Sequence, residues 1–463
     1  MKEAPKKFHF IGICGTAMGS VAAALQERGF TVTGSDENIY PPMSIFLEKK
    51  GIALKEGYRA ENVPPDADVV VIGNAMKRGN PEVEAVLRRK LLYLSLPEVL
   101  RNYFLRGRHN LVVTGTHGKT TTTALLVWIM EKAGRKPGYL IGGLPKNLGQ
   151  GARLNDSKYF VIEGDEYDSA FFDKRSKFIH YLPELLIVNN IDFDHADIFN
   201  NLDEIKLSFR RLLNIVPQNG MVLLNGDDPS CVEVARDCPA PMIEVGFSKN
   251  CAQRIREVAY SARGSRFKLG EDVFEVPLIG DFNVRNAAMA AIAARFYDVP
   301  KAKIDNAFKS FSGIARRQEV RGEVRGVKVI DDFGHHPTAI AHTLQALRQR
   351  YRGHRLWAVF EPRSNTTRRA VFQDQLPDAL KLADGVLMAQ VAKLEQIPEK
   401  ERLNPEAVVD AIAKAGHPAF YEKNAGAIVD RLVPLLKAQD VVVVFSNGGF
   451  DNIHEKLLAR LSS

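Results

Sequence analysis

The chain of 463 residues is poor in cysteine and has no long apolar run. Its four cysteines, Cys14, Cys231, Cys238 and Cys251, form no C-x-x-C pair and no Cys/His ligand spacing, so neither a zinc site nor a disulfide framework is indicated. The apolar stretches of the chain, such as the strand-sized "DVVVVF" (440–445), are far shorter than the ~18 residues that a membrane-spanning helix needs. We therefore expect a cytoplasmic protein with reduced thiols and without a membrane partner.

The chain also lacks a strong excess of positive or negative charge. The 63 basic residues only slightly outnumber the 55 acidic ones, which gives a net charge of +8. The basic clusters "RRK" (88–90), "ARRQEVRGEVRG" (315–326) and "TTRR" (366–369) are short, and they are typical of solvated faces. Because no basic stripe is interleaved with aromatic residues, a nucleic-acid partner is not expected.

Runs of β-branched residues alternate with amphipathic segments from "FHFIGI" near the start to "VVVVFS" near the end. This order predicts an α/β protein with parallel sheets that are covered by helices on both faces. Residues 246–277 read instead as short antiparallel strands. Two polar segments, 102–110 and 311–323, divide the chain into three predicted domains, at 1–106, 107–318 and 319–463.

The stretch "VVTGTHGKTTTTALLVWIM" (112–130) reads as a strand, a glycine-rich loop and an apolar helix. It departs from the eight-residue phosphate-loop pattern at Val113, where that pattern has glycine. A strand-loop-helix of this kind points backbone N–H groups and a lysine at phosphate oxygens. We expect the loop to hold the phosphates of ATP, with a plain helix cap as the alternative, through Gly115, Thr116, Gly118, Lys119, Thr120 and Thr121.

Acidic and histidine side chains follow two later strands, in "EGDEYD" (163–168) and "DFDHAD" (192–197). Ligands gather at the carboxyl ends of parallel strands, so Glu163 and His195 become candidate Mg²⁺ ligands together with Thr120. A helix-cap acid and an ordinary loop histidine are the alternatives.

These strings, with "GDFNVRNAAMAA" (280–291), "GIARRQEVRG" (313–322) and "DDFGHHPT" (331–338), resemble the Mur ligases, ATP-dependent amide-forming enzymes of bacterial cell-wall synthesis. The resemblance extends over nearly the whole chain. It implies the three-domain Mur ligase architecture: a Rossmann-like N-terminal domain for a UDP-sugar, a central P-loop ATPase-like domain for ATP and Mg²⁺, and a Rossmann-like C-terminal domain that brings the amine.

Further strings resemble one branch of that family, namely "GICGTAMG" (12–19), "SDENIYPPMS" (35–44), "EPRSNT" (361–366) and "SNGGFDNIHEKLL" (446–458). That branch joins UDP-N-acetylmuramate to the recycled murein tripeptide L-Ala-γ-D-Glu-meso-diaminopimelate. Relatives that add single L-alanine typically carry "PHRYTR" and "GAGDI" at the last two places, so a larger acceptor is favoured. An L-alanine ligase remains the alternative.

The resemblance also implies roles for individual residues. The catalytic set is Lys119, His195, Arg317 and His117, the last seating the substrate carboxylate. The nucleotide would contact Asn283, Asn286, Arg317, Asp332 and His336. The UDP-sugar would contact Gly15, Thr16, Ser35, Asp36 and Asn74, and the tripeptide Arg363, Ser364 and Asn365. Phe282 is a departure, since relatives commonly have histidine there. Lys206 lies where sister ligases carbamylate a lysine, but no carbamate is predicted.

Three other functions stay open at this point. The "GICGTAMG" turn could belong to an oxidoreductase, although Cys14 replaces the second glycine of the dinucleotide-binding pattern. A nucleic-acid-binding ATPase and the same ligase chemistry on L-alanine or a folate glutamate chain are the others. The sequence indicates no oligomeric state beyond a monomer or weak dimer.

Overall fold

The computed structural model describes residues 6–39, 43–392 and 394–463. Residues 40–42 of the "SDENIYPPMS" string therefore lie outside the described residues. Within these ranges the strands form three main sheets, and helices cover them. The predicted α/β class is confirmed. No helix in the described ranges is both long and apolar enough to cross a membrane.

The first sheet is parallel throughout and has the order β3-β2-β1-β4-β5. Its strands are β1 Lys7–Ile11, β2 Thr31–Asp36, β3 Ala53–Glu56, β4 Val69–Ile72 and β5 Tyr93–Ser95, and its helices are α1 Thr16–Glu27, α2 Met43–Lys49, α3 Pro81–Arg88 and α4 Leu96–Leu100. The π-helical turn Arg101–Leu105 follows α4. The interior strand β4 is a continuous apolar run that is buried along its whole length, as expected for a strand covered on both faces.

The second sheet contains ten of the described strands. In chain order the strands of this region are β6 His109–Thr114, β7 Gly138–Leu140, β8 Ala152–Arg153, β9 Tyr159–Glu163, β10 Asp168–Ala170, β11 Asp173–Ser176, β12 Leu185–Val188, β13 Met221–Asn225, β14 Met242–Gly246, β15 Gln253–Ser261, β16 Gly264–Leu269 and β17 Asp272–Val276. The helices are α5 Lys119–Lys132, α6 Leu202–Leu213, α7 Pro229–Ala235, α8 Asp281–Phe296 and α9 Lys301–Lys309. The hairpin of β10 and β11 stands apart from the sheet order β17-β16-β15-β14-β13-β12-β6-β9-β7-β8.

Strands β6, β9, β12 and β13 pair in parallel, so their carboxyl ends meet at one edge. Helix α5 begins at that edge, directly after the loop that follows β6. At the far end, β15, β16 and β17 pair antiparallel, which agrees with the pattern read in residues 246–277. The sheet therefore presents the phosphate-loop candidate and the two acidic strings at a common edge.

The third sheet has the order β18-β19-β23-β20-β21-β22, and it is parallel except for the edge strand β18. Its elements are β18 Glu319–Val324, β19 Val327–Asp332, β20 Leu356–Phe360, β21 Gly385–Ala389, β22 Ala419–Glu422 and β23 Val441–Phe445, with α10 Pro337–Arg350, α11 Gln375–Leu380, α12 Pro405–Lys414, α13 Ala425–Leu432 and α14 Ile453–Ser462. The proposed domain limits at 106/107 and 318/319 lie in the segments between the three sheets, and they stay predictions.

Candidate active site

The loop between β6 and α5 is shaped by glycines. Gly115 has φ 124° and Gly118 has φ 81°, conformations that side chains rarely adopt. A Cβ on Gly118 would lie 2.7 Å from Oδ1 of Asn286, and a Cβ on Gly115 would lie 2.9 Å from the Asn190 nitrogen. No side chain caps the start of α5, so its first N–H groups are available to an anion.

Lys119, the first residue of α5, is held by a buried carboxylate. Its Nζ donates to Oε2 of Glu166 at 2.6 Å. Oε1 of Glu166 lies 3.3 Å from Nε2 of His195, and only 1% of Glu166 is exposed. Burial opposes the charge on Lys119, but Glu166 and Asp165 raise its pKa above the usual value. Sequence reasoning missed Glu166; its signal is the second glutamate of "EGDEYD".

Thr120 and Glu163 form a pair of oxygen ligands. The Thr120 hydroxyl donates to Oε1 of Glu163 at 3.0 Å, and the Gly142 N–H donates to Oε2 at 2.7 Å. Burial raises the pKa of Glu163, and this carboxylate makes no ion pair with any described residue. A Cβ on Gly142 would lie 3.0 Å from Oε1, so the glycine keeps the carboxylate accessible. A hard, oxygen-only donor pair of this kind fits Mg²⁺.

His195 belongs to a different group from Thr120 and Glu163. It has φ 55° in the middle of the loop between β12 and α6, and ligand atoms of Asp165, Glu166 and His195 lie within 4.8 Å of one another. Burial opposes protonation, but the hydrogen bond and charge of Glu166 raise the pKa of His195 to about 9. The structure thus separates the predicted metal ligands into two neighbouring sets.

His117 packs against the third sheet's first helix. Its ring lies 4.5 Å from that of His336, and its Nε2 lies 3.5 Å from Oδ2 of Asp192. Burial, aided by His336, lowers the pKa of His117 to about 4, so its imidazole is neutral near pH 7. His336 is the N-cap of α10, where Nδ1 accepts the Thr338 N–H. The histidine pair therefore joins the phosphate loop to the third sheet.

The two predicted asparagines lie at the start of α8, and both are buried. Nδ2 of Asn283 donates to the Ile279 carbonyl at 2.9 Å, and Nδ2 of Asn286 is 3.4 Å from Oδ1 of Asn283. Beside them the Phe282 ring stacks on His342, with centroids 5.6 Å apart and planes 11° apart. Sequence reasoning missed His342, because nothing local in α10 marks it.

Arg317 and Asp332 come from the beginning of the third sheet. Oxygens of Asp332 accept the N–H groups of Gln318 and Gly334, each at 2.8 Å, and burial raises the pKa of this carboxyl. The Arg317 guanidinium lies 5.2 Å from the Phe333 ring centre.

Together these elements enclose a cavity of about 600 Å³ between the second and third sheets. Its lining contains nearly all of the predicted nucleotide, metal and catalytic residues: Thr116, His117, Gly118, Lys119, Thr120, Thr121, Glu163, His195, Asn283, Asn286, Arg317, Asp332 and His336. Gly115 is outside the lining. It shapes the loop through its positive φ and its close approach to Asn190. Asp165, Asp192 and Asp194 are lining residues that the sequence did not single out.

The predicted UDP-sugar residues lie at the first sheet, around the turn that precedes α1. Gly15 is the N-cap of α1 and Thr16 its first residue, while Oδ2 of Asp36 accepts the Cys14 N–H at 2.8 Å. Asn74 lies partly exposed after β4.

Ser35 corrects the expectation of a side-chain contact to the sugar nucleotide. It is 0% exposed, and its hydroxyl donates to Oε2 of Glu82 at 2.5 Å. The buried Glu82 carboxylate needs donors, so it turns this hydroxyl inward. The Ser35 carbonyl accepts the N–H groups of Gly12 and Ile13 and thereby shapes the turn.

The predicted tripeptide residues lie outside the cavity lining, after β20. Arg363 pairs with Glu361 at 3.2 Å, Ser364 bonds Thr367, and Nδ2 of Asn365 donates to Asp197 at 2.8 Å. The Ser446 hydroxyl donates to Glu361 at 2.5 Å, so the structure joins "EPRSNT" to "SNGGF". Lys206 pairs with Glu233 at 2.6 Å and is not in the lining.

Comparison with known proteins follows the same three-part division. Residues 7–108 match the Mur ligase family catalytic domain, residues 113–294 the Mur ligase middle domain, and residues 316–448 the Mur ligase glutamate ligase domain. The chain belongs to the Mur ligase family.

Individual Mur ligases are similar over the whole length. The chain is 46% identical to UDP-N-acetylmuramate–L-alanyl-gamma-D-glutamyl-meso-2,6-diaminoheptandioate ligase of Haemophilus influenzae, covering 98% of this chain and 99% of that one. It is 32% identical to UDP-N-acetylmuramate–L-alanine ligase of Syntrophus aciditrophicus, covering 100% and 95%. The crystal structure of a murein peptide ligase from Psychrobacter arcticus 273-4 superposes with a TM-score of 0.72 at 36% identity, covering 99% of both chains.

Proposed function

We propose that this Mur ligase uses ATP to join the carboxylate of UDP-N-acetylmuramate to the amine of L-Ala-γ-D-Glu-meso-diaminopimelate. ADP and phosphate are the other products, and the route passes through an acyl phosphate. The observation that carries this proposal is the full-length similarity to a ligase named for that tripeptide, which exceeds the similarity to an L-alanine ligase. The recycled tripeptide would thus return to peptidoglycan synthesis.

The chemistry requires a better leaving group on a carboxylate. The muramoyl carboxylate attacks the γ-phosphorus of ATP, which releases ADP and forms the acyl phosphate. The alanyl amine then attacks the acyl carbon, and phosphate leaves. Charge gathers on phosphoryl oxygens in the first step, so positioned cations and N–H donors should supply most of the catalysis.

Lys119 and the start of α5 supply such groups on one side of the cavity, and Arg317 supplies one from the third sheet. Glu166 keeps Lys119 charged and directed while the cavity is free of phosphate. Neutral His117 can donate a hydrogen bond to the sugar carboxylate without repelling Arg317 or Lys119. Because Arg317 comes from a separate domain, complete charge neutralisation requires the closed arrangement.

Thr120 and Glu163 would hold Mg²⁺, and Glu166 with His195 would hold a second ion. Bound Mg²⁺ would neutralise charge on the phosphate oxygens and on the attacking carboxylate. The half-buried carboxylate of Glu163, which has two hydrogen-bond donors but no ion-pair partner among the described residues, is the feature of this chain that fits such an ion.

The nucleotide base would lie beside Asn283, Asn286 and the Phe282–His342 stack, and the ribose beside Asp332 and His336. Ring stacking by Phe282 replaces the polar contact of the histidine found in relatives. The sugar nucleotide would use the turn before α1, with backbone groups of Gly15 and Thr16 on its diphosphate. Arg363 would bind a peptide carboxylate.

The test is phosphate release with ATP, Mg²⁺ and UDP-N-acetylmuramate, with either tripeptide or free L-alanine added. Release that depends on the tripeptide, with alanine at least about 100-fold less effective in kcat/KM, is the expected result. A difference of this size corresponds to about 2.7 kcal/mol of differential transition-state binding. Equal or better release with alanine would make the chain an L-alanine ligase.

A further inference from the structure

A third group of metal-ligand side chains lies beside the phosphate loop and shares no residue with the Thr120 and Glu163 pair or with the set of Asp165, Glu166 and His195. It consists of His117, Asp192 and His336, which we call the interdomain triad. One ligand atom of each lies within 4.8 Å of the other two. His117 and Asp192 follow strands of the second sheet, whereas His336 precedes α10 of the third sheet.

One carboxylate oxygen of Asp192 lies near a ring nitrogen of each histidine, and it also accepts the Thr338 hydroxyl at 2.8 Å. Oδ2 of Asp192 lies 3.5 Å from Nε2 of His117 and 3.9 Å from Nδ1 of His336. Nε2 of His117 is buried and has no hydrogen-bond partner among the described residues. Such an atom costs free energy unless something binds it.

The hydrogen bond of His336 Nε2 determines which ring nitrogen carries the proton. This Nε2 lies 3.0 Å from the Phe193 carbonyl, which can only accept, so Nε2 carries the proton. Nδ1 therefore holds the lone pair, which at present accepts a long 3.2 Å bond from the Thr338 N–H. A backbone carbonyl on the remote nitrogen is the usual support of a metal-binding histidine.

Two imidazole nitrogens and one carboxylate oxygen are a donor set for Zn²⁺ or Co²⁺ and a poor one for Mg²⁺. Ligands at tetrahedral Zn²⁺ lie about 3.4 Å apart, given bonds of about 2.0–2.1 Å. The two separations at Asp192, 3.5 Å and 3.9 Å, are close to that value, and the third lies within 4.8 Å. An incoming solvent molecule could complete the fourth position.

We propose that the interdomain triad binds one divalent transition-metal ion. Since its ligands come from two domains, the ion ties the phosphate loop to α10 and holds the cavity closed. His117 and His336 both line the nucleotide cavity, so the bound ion lies beside the place of the nucleotide. The site does not depend on which amine the enzyme uses.

The experiment is titration of the full, metal-free chain with Co²⁺, followed by visible absorption, and with Zn²⁺, followed by calorimetry. The expected result is a ligand-field band that saturates at one strongly bound equivalent. His336→Asn and Asp192→Asn should each weaken binding about tenfold or more. Asparagine still caps α10, so His336→Asn removes the imidazole without removing the cap.

His342→Asn is the matched control, because His342 lies in the same helix and cavity but outside the triad, and it should bind as the parent does. A Co²⁺ band that is lost in His195→Gln and kept in His336→Asn would overturn the proposal, since the ion would then sit at Asp165, Glu166 and His195. Absence of a saturable band would overturn it as well.

Discussion

At the scale of single residues, Glu166 holds the charged side chains of Lys119 and His195 in place beside the phosphate loop. Its buried carboxylate contacts Lys119 at 2.6 Å and His195 at 3.3 Å, so one acid orients two cations that come from different strand ends. Removing one partner of a buried ion pair typically costs about 3–5 kcal/mol, because a charge is left without its counter-ion. Here His195 remains as the second partner, which should limit that cost.

We expect Lys119→Ala to reduce ATP turnover about 10³-fold or more, because the β- and γ-phosphates lose a positioned cation. Binding of UDP-N-acetylmuramate, measured by calorimetry, should survive, since its proposed site lies at the first sheet. Lys381→Ala is the control, as Lys381 pairs only with Asp378 on an exposed helix surface. Loss of sugar binding in Lys119→Ala would contradict the assignment of ligands to separate sheets.

Arg363→Glu should raise the Michaelis constant for the tripeptide about tenfold or more. The new carboxylate would face Glu361, which Arg363 now contacts at 3.2 Å, and would repel a peptide carboxylate. The Michaelis constant for ATP should stay within about twofold. Arg431→Glu makes the same charge change beside Glu422 on the same domain and should alter neither constant. An unchanged tripeptide constant would remove Arg363 from the acceptor site.

At the scale of elements, both the available space and the backbone conformation limit which residues the phosphate loop can accept at its glycine positions. Gly118 and Gly149 both have positive φ, at 81° and 68°. A Cβ on Gly118 would meet Asn286 at 2.7 Å, whereas a Cβ on Gly149 would meet nothing within 4 Å. The two positions therefore separate the cost of a strained backbone from the cost of crowding.

Gly118→Ala should weaken ATP binding by more than about tenfold, because the loop must move away from α8 to admit the methyl group. Gly149→Ala should bind ATP normally and lose only about 1 kcal/mol of stability. Fluorescent-nucleotide titration and thermal unfolding measure the two effects. Equal affinities for ATP in both variants would show that the close approach of the loop to Asn286 is unimportant.

A second element-scale feature joins the acceptor loop to the loop that carries His195. The Thr366 hydroxyl, 1% exposed, donates to Oδ1 of Asp194 at 2.7 Å, and the same oxygen accepts the His195 N–H at 2.7 Å. The segment after β20 thus contacts the metal-site loop across the domain boundary. Movement of the segment after β20 should therefore shift the loop that carries His195, and the reverse should also hold.

A double-mutant cycle of Thr366→Val and Asp194→Asn should give a coupling energy of about 1.5–3 kcal/mol in unfolding free energy, the range for a hydrogen bond to a charged group. Thr366→Val should also lower kcat about tenfold by loosening His195. Thr31→Val, an exposed change in β2, is the control. Additive energies in the cycle would mean that the contact contributes nothing in solution.

At the scale of the whole molecule, the nucleotide cavity is built by two sheets and the sugar turn by a third. The cavity lining includes no residue of the first sheet among the described residues. Closure of the third sheet onto the second is secured by several contacts, including the one from His336 to the Phe193 carbonyl. Phosphate release should therefore depend on the metal, whereas binding of the sugar nucleotide should not.

Chelation of Mg²⁺ with EDTA should stop phosphate release completely, while calorimetric binding of UDP-N-acetylmuramate changes by less than about twofold. Glu163 would then be a half-buried carboxylate without a bound cation, which favours opening of the cavity. Restoring Mg²⁺ should restore the rate. Sugar binding that disappears with EDTA would mean that the metal also holds the sugar nucleotide.

The sequence alone determined the α/β class, the phosphate loop and most residues of the cavity. Its signals are local: a strand followed by glycines and a lysine, and polar groups directly after apolar strands. Parallel pairing brings strand ends to one edge, so Lys119, Glu163 and His195 could be grouped before any coordinates were known.

Only the tertiary structure decided which of these side chains touch. Glu166 between two cations, His342 on Phe282, and the triad of His117, Asp192 and His336 all join residues that are far apart in the chain. The position of Ser35 at a strand end predicted a ligand contact, but its hydroxyl donates to the buried Glu82 carboxylate. Such partners depend on packing between sheets and on the need to satisfy buried charge, neither of which a local pattern records.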